Sequence, residues 1–309
     1  MTYRLAVIGL GKIAQDQHLP CIAENKSFEL AAVVSSRPTA LKVPAFATPE
    51  ELLAARLNLD AVSLCMPPEP RFAIASAALE AGLHVLSEKP PTPTMGEFAA
   101  MAAHAAASKR ILFTTWHSQY NRAVDEARRL LARETVTRLH VEWKEDVRHW
   151  HPGQEWIWQA GGFGVFDPGI NAFSIVTKIL PQPIFVASSR LEIPENRSTP
   201  IAAQIRFKPS WPGTAELTAD LDWRQTGEQI WNIDVETASG LKLQLRKGGT
   251  ELYIAGKPAI AEPSQEYQAI YAEFAELLKS GQSYIDGAPL QLVSDCFMMG
   301  KRVPTAAFT

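Results

Sequence analysis

Cysteine, charge of a single sign and long hydrophobic runs are all scarce in this sequence of 309 residues. Its 3 cysteines, Cys21, Cys65 and Cys296, are isolated and odd in number. That excludes a disulfide framework and paired metal-ligand spacing, and predicts buried free thiols in a reducing compartment. Lys and Arg number 30 against 33 Asp and Glu, a formal net charge of -3. Such a balance exerts no long-range pull on phosphate backbones or anionic lipid, so neither nucleic acid nor a membrane surface is an expected partner. No stretch approaches the roughly 18 continuous apolar residues of a membrane span. The N-terminus shows no apolar leader with a small-residue cleavage site, and a cytoplasmic location is expected. His149 and His151 lie among acidic and aromatic neighbours without a defined third ligand, so no metal site is expected.

What is present is an apolar fraction of 46%, enough for two cores at about 150 residues per domain. Short β-branched runs at 4–8, 30–34, 61–65, 84–86 and 111–114 alternate with Ala-, Leu- and Glu-rich segments of helical spacing at 49–55, 73–81 and 95–107. Strands alternating with helices predict a doubly wound parallel sheet of Rossmann type over residues 1–116. Beyond it, helices are expected at 123–132, 171–180, 265–279 and 289–301, and strands at 201–207, 215–221, 229–235, 241–245 and 251–254. Strands that follow one another without helices imply an α+β domain over 117–309 with an open, largely antiparallel sheet, its last helices free to pack back on the first domain. The fold class is therefore α/β followed by α+β. One face of the second sheet needs no helical cover.

The first strand runs directly into Gly9-Leu10-Gly11-Lys12-Ile13-Ala14 and then a helical segment. This is the G-x-G-x-x-A form of the dinucleotide fingerprint. Gly9 permits the tight turn, Gly11 lets the backbone N–H groups around Lys12 and Ile13 approach a pyrophosphate, and Ala14 lets the helix pack close to the strand. At the end of the second strand, where NAD-specific sites carry Asp or Glu for the ribose 2′-hydroxyl, stand Ser35-Ser36-Arg37. Ser36 and Arg37 suit a 2′-phosphate, so NADP is expected at least as readily as NAD; the other reading of Arg37 is a solvated loop charge. Two further strands end Ser63-Leu64-Cys65-Met66-Pro67-Pro68 and Leu86-Ser87-Glu88-Lys89-Pro90-Pro91. Their termini fall at the carboxyl edge where ligands of doubly wound folds sit. Cys65, Pro67, Glu88 and Lys89 are therefore cofactor-side candidates, and Lys89 is suited to hold a substrate hydroxyl as it loses its proton.

Trp143, Trp150, Trp156 and Trp158 lie close together, interleaved with Glu145, Asp146, Arg148, His149 and His151. Sugar sites need that mixture, aromatic faces against C–H surfaces and charged or imidazole groups on hydroxyls. Core packing is the competing reading for each tryptophan. Glu145, Trp150 and His151 are the chosen substrate-binding candidates, with Trp231 on a later strand and His117 where the chain leaves the first domain. Asp167-Pro168-Gly169-Ile170-Asn171 reads as a helix start, Asp167 at the N-cap and Pro168 at the first helical position. Ile170, Phe173, Val176 and Leu180 then form its apolar face, and Asp167, Asn171 and Ser174 its polar side.

The glycine fingerprint with Glu88-Lys89-Pro90 in this position resembles the glucose-fructose oxidoreductase, inositol dehydrogenase and rhizopine-catabolism (Gfo/Idh/MocA) family over the whole chain. That resemblance implies a catalytic Lys89 and a cis bond to Pro90. A narrower likeness rests on Lys12 to Pro20, Trp116-His117-Ser118, Trp143 to Arg148, Trp150 to Gln154 and Phe166 to Asn171. These segments are similar to the branch that oxidises D-galactose and L-arabinose at C1, and imply an aldose substrate and an aldonolactone product. Many relatives pair the Asp with a His four residues on, where this chain has Asn171. An amide takes no proton, so the resemblance leaves Asp167 as first choice of base and Lys89 as second, with Asn171 orienting. Within the family, another sugar or inositol dehydrogenase or a sugar-sugar oxidoreductase remains open. Outside it, the alternative is a non-catalytic NADP-binding regulator.

Overall fold

The computed structural model describes residues 2–309. The chain divides into two compact units, one of Met1–His117 with Gln265–Gly287, the other of Ser118–Ser264 with Ala288–Thr309.

The first unit is built on six parallel strands, β1 (Tyr3–Ile8), β2 (Phe28–Val34), β3 (Ala45–Phe46), β4 (Ala61–Leu64), β5 (His84–Ser87) and β6 (Leu112–Thr114), in the order β3-β2-β1-β4-β5-β6. Helices α1 (Leu19–Glu24), α2 (Pro49–Ala54), α3 (Arg71–Glu80) and α4 (Met95–Ser108) connect them. The runs of β1 and β4 are apolar at nearly every position because both faces of a parallel sheet are covered; Leu5, Ala6, Val7, Ala61, Val62 and Leu64 have no solvent exposure. Thr94 caps α4, its hydroxyl accepting from the Glu97 N–H at 3.2 Å, and α2 starts the same way on Thr48. The two-residue β3, too short to carry a periodicity, was not expected from the sequence.

The second unit holds nine strands: β7 (Val136–Lys144), β8 (Ile184–Pro194), β9 (Ala202–Pro209), β10 (Glu216–Asp222), β11 (Ile230–Thr237), β12 (Lys242–Arg246), β13 (Glu251–Ile254), β14 (Lys257–Ala261) and β15 (Gly300–Thr305). Their order is β14-β13-β12-β11-β7-β10-β9-β8-β15, antiparallel except for the pairs β7/β10 and β8/β15. Helices α5 (Arg122–Leu131), the single turn α6 (Val147–Trp150) and α7 (Phe166–Ile179) lie in this unit; α8 (Glu266–Ser280) belongs to the first unit, and α9 (Ala288–Met298) to the second. Leu139, Val141 and Trp143 of β7, Leu217, Ala219 and Leu221 of β10 and Ile233 and Val235 of β11 form the buried face. The alternate residues make a polar face of charge pairs, such as Lys144 with Glu142 at 2.8 Å and Asp220 at 3.0 Å. Gly169 brings α7 close to the buried face: a Cβ there would lie 2.6 Å from Leu221 Cδ1.

Three sequence expectations are corrected. Helix α7 begins at Phe166 rather than 171, with Val165 as N-cap, so Asp167 sits inside the first turn. The cause lies upstream, where Gly164 at φ +53° accepts the Asp167 N–H at 2.9 Å and starts the coil early. Ser174, placed on the polar side beside Asp167, is wholly buried and donates to the Asn171 carbonyl at 2.7 Å. The last helix stops at Met298 and Lys301 lies in β15. There Gly300 fits between Leu191 and the Cys296 carbonyl, where a Cβ would be 2.6 and 2.7 Å away.

Candidate active site

The expected site residues fall into two sets, one in each unit. In the first unit, Gly9 leaves β1 at φ +94°, and a Cβ there would stand 2.9 Å from the Met66 backbone nitrogen, so no larger residue fits the turn. Around Gly11 the reverse holds: a Cβ would meet nothing within 4 Å. That open backbone fits a pyrophosphate drawn in by peptide N–H groups. The coil starts with a π turn, Ala14–His18, before α1, and Ala14 is fully buried. Lys12 is exposed and ion-paired with Asp16, and Ile13 is half-buried. Past β2, the Ser35 hydroxyl donates to the Arg37 carbonyl at 2.8 Å and accepts the Arg37 N–H at 3.1 Å. This closed turn leaves the Ser36 and Arg37 side chains exposed. Of the β4 end, Cys65 is buried and Pro67 exposed.

At the carboxyl end of β5, Glu88 is buried and Lys89 half-buried, and the Lys89–Pro90 peptide is cis. Glu88 Oε1 accepts from Tyr267 at 2.9 Å and from His18 Nε2 at 3.1 Å, with Thr115 Oγ1 at 3.4 Å; Oε2 accepts the Lys89 N–H at 3.0 Å. The other ring nitrogen of His18 meets Tyr271 OH at 2.8 Å and Ser63 Oγ at 3.2 Å. Arg71 at the start of α3 donates to the carbonyls of Met66, Glu88 and Pro90, tying the ends of β4 and β5 together. Burial alone pushes the Glu88 carboxyl up, but the hydrogen bond and charge of His18, with His117 and Arg71 behind them, hold it at about 2. Burial works against a charged His18, yet Cys65, Tyr271 and Glu88 together raise it well above the usual histidine range. His117 Nδ1 lies 2.9 Å from Glu266 Oε2, and its ring stacks on Tyr267 at 5.8 Å. Burial lowers its pKa, but Glu266 outweighs that and raises it.

In the second unit, the ladder between β7 and β10 runs on past both strands, the Glu145 N–H donating to the Asp222 carbonyl at 3.0 Å and Val147 to Trp223 at 3.1 Å. It sets Glu145, 6% exposed, between two indoles: Trp223 Nε1 donates to Oε1 at 3.2 Å and Trp231 Nε1 to Oε2 at 2.9 Å. Trp150, on α6 and partly exposed, meets Trp231 edge-on at 5.5 Å. His151 packs on Trp223 at 5.2 Å and places Nε2 3.4 Å from Asp167 Oδ2. Asp167 is buried in the first turn of α7 and Asn171, one turn on, is half-buried. Glu145, Trp150, His151, Asp167 and Trp231 thus form one connected cluster. Trp143 and Trp158 are buried, and the Trp143 indole N–H has no partner among the described residues. Sequence reasoning missed His18, Arg71, Trp223, Tyr267 and Tyr271. No local pattern singles them out, and their partners are as far as 253 residues away in sequence.

A doubly wound sheet, a glycine turn open at Gly11 and a lysine fixed at the carboxyl edge define a dinucleotide-binding oxidoreductase. The family model of oxidoreductases with an NAD-binding Rossmann fold, GFO/IDH/MocA, matches residues 3–115. The chain is 43% identical over 99% of its length, and 98% of the relative's, to a galactose 1-dehydrogenase of Pseudomonas fluorescens. The chain belongs to the GFO/IDH/MocA oxidoreductase family. Among solved structures, a D-galactose-1-dehydrogenase protein from Rhizobium etli is 51% identical, with a TM-score of 0.94 over 100% of this chain and 98% of that one. A 3-ketoreductase from Actinomadura kijaniata, solved with TDP-benzene and NADP, shares the fold at a TM-score of 0.82 and 17% identity, covering 99% and 100%. Among the described residues no helix is long and apolar enough to cross a membrane.

Proposed function

We propose that this chain oxidises an aldopyranose, D-galactose, L-arabinose or both, at C1 to the aldonolactone, with NADP or NAD as oxidant. The observation that carries this reading is that the likeness to galactose 1-dehydrogenases runs through the second unit as well as the dinucleotide fold. In that unit Glu145, His151, Asp167, Trp150 and Trp231 form a cluster of charge and aromatic faces, beside the Trp143 indole, whose buried N–H has no partner among the described residues. A sugar presents hydroxyls to the first and C–H surfaces to the second.

A bound nicotinamide would supply the acceptor for the hydride that leaves C1. The protein supplies orientation and proton handling. Lys89 holds and polarises the C1 hydroxyl, and Asp167 accepts its proton, with Lys89 as second choice. Asn171 and His117 orient the remaining hydroxyls, as do Glu145 and His151. Trp150 and Trp231 offer faces to the ring. Gly9, Gly11, Lys12, Ile13, Cys65, Pro67 and Glu88 line the dinucleotide, and Ser36 and Arg37 read its ribose. We also propose a cytoplasmic homodimer formed through the polar face of the second sheet.

Absorbance at 340 nm with free aldoses and each cofactor tests the reading. D-galactose or L-arabinose should reduce NADP at least as fast as NAD, and Arg37→Ala should erode the preference for NADP. Lys89→Ala should lower kcat by orders of magnitude while the dinucleotide still binds. Oxidation of inositols alone, or full turnover by Lys89→Ala, would contradict it.

A further inference from the structure

Helix α8 reaches the first unit from near the far end of the chain and packs there through Tyr267, Ile270, Tyr271 and Phe274, all buried. Packing alone would be served as well by phenylalanines at 267 and 271, since a buried hydroxyl costs free energy unless it is hydrogen-bonded. Both phenols are bonded, and both bonds lead to Glu88: Tyr267 OH directly at 2.9 Å, Tyr271 through His18 at 2.8 Å and then 3.1 Å. The remaining oxygen of Glu88 accepts the backbone N–H of Lys89 at 3.0 Å. A carboxylate gripped on one oxygen and gripping a peptide with the other transmits orientation. Arg71 fixes the same turn from its carbonyl side.

We infer that Tyr267 is a positioning residue for Lys89, acting through the carboxylate of Glu88, so that the first turn of α8 sets the geometry of the reacting lysine. The inference rests on the reading of Lys89 as the residue that holds the substrate hydroxyl. The same turn places Glu266 on His117 at 2.9 Å and stacks the Tyr267 ring against the His117 ring. A side chain that packs without positioning would lose stability when cut back. One that positions would lose turnover, because a displacement of about 1 Å at a reacting group costs on the order of a hundredfold in rate.

Tyr267→Phe keeps the ring and its stack on His117 and removes only the hydroxyl. With D-galactose and NADP, its kcat is expected to fall by about tenfold to a hundredfold, with the sugar KM and the NADPH dissociation constant, read by fluorescence, within about twofold of the parent. In the protein without dinucleotide, hydrogen exchange at the Lys89 amide should be faster than in the parent, since the acceptor of that amide has lost a restraint. Glu88→Gln, which preserves shape and removes the charge, should likewise lower kcat and speed Lys89 exchange, and covers the case in which Tyr267→Phe fails to fold. Parental kcat and parental Lys89 exchange in either folded variant would overturn the inference, as would a loss in Tyr267→Phe that tracks melting temperature or NADPH affinity. Lys89→Ala, run alongside, separates the two levels. If it turns over normally, the reading of Lys89 fails; if it is dead while Tyr267→Phe is fully active, only the role of Tyr267 fails.

Discussion

Glu145 gives up both carboxylate oxygens to indole N–H groups, Trp223 at 3.2 Å and Trp231 at 2.9 Å, while nearly buried. Its first effect is therefore to fix two indoles, one packed on His151 and the other edge-on to Trp150. Hydrogen bonds to a charged group are worth about 1.5–3 kcal/mol, which converts to roughly ten- to hundredfold in a binding constant. Glu145→Gln keeps one carbonyl acceptor, so steady-state kinetics should show the sugar KM rising by about tenfold or more, with the NADPH dissociation constant unchanged. An unchanged sugar KM would remove Glu145 from the sugar site. Glu145, His151 and Asp167 were legible because carboxylates and imidazoles set among tryptophans already stand out in the sequence. Trp223 was not, because its role appears only when its partner 78 residues earlier is known. Asp167 was mislocated by one turn geometry: the Gly164 bend that starts α7 early has no local sequence mark beyond the glycine itself.

At the scale of elements, the turn after β5 is clamped by α3 through Arg71, by the coil after β1 through His18, and by α8 through Tyr267. The charges in this clamp make its stability pH-dependent. Glu88 is held at about 2 in the folded chain, below its ordinary 4.5, so its contribution is complete above the ordinary value and is lost as pH falls toward 2. His18 and His117 are raised above 6.5, so theirs is complete below that value and is lost as pH climbs through the raised pKa values. Thermal melting followed by circular dichroism should therefore show the highest melting temperature between about pH 4.5 and 6.5 and a decline on the alkaline side. Glu88→Gln should lessen that decline, because one of the groups that holds His18 charged is then gone; an alkaline decline equal to the parent's would contradict the ion pair. The helices and strands of the first sheet were readable from alternation of β-branched and helical runs. The last helices were open to packing back on this unit, but which of them does so was not readable, since nothing in a helix's own periodicity names its partner.

Over the whole molecule, a dinucleotide fold is accompanied by a second unit whose nine-stranded sheet carries the tryptophan cluster. The first was legible from its alternating strand and helix runs, and its dinucleotide site from a fingerprint only a few residues long. The second was legible as an open antiparallel sheet but not in its arrangement. Its central strand β7 comes first in the chain, and its neighbours β10 and β11 follow about 80 and 90 residues later, as in the pairs Glu216 with Arg138 and Ile230 with Lys144. Pairing over that distance leaves no local trace. The likeness to galactose 1-dehydrogenases runs over the full length of the chain and so through both units, and under the proposed function both serve hydride removal from C1 of an aldose. D-galactose bearing deuterium at C1, oxidised with NADP and followed by mass spectrometry, tests that reaction directly. The expected result is one deuterium on the reduced nicotinamide, an unlabelled galactonolactone and a primary slowing of the chemical step. Reduced cofactor without deuterium, or no reduction at all by D-galactose or L-arabinose, would contradict it.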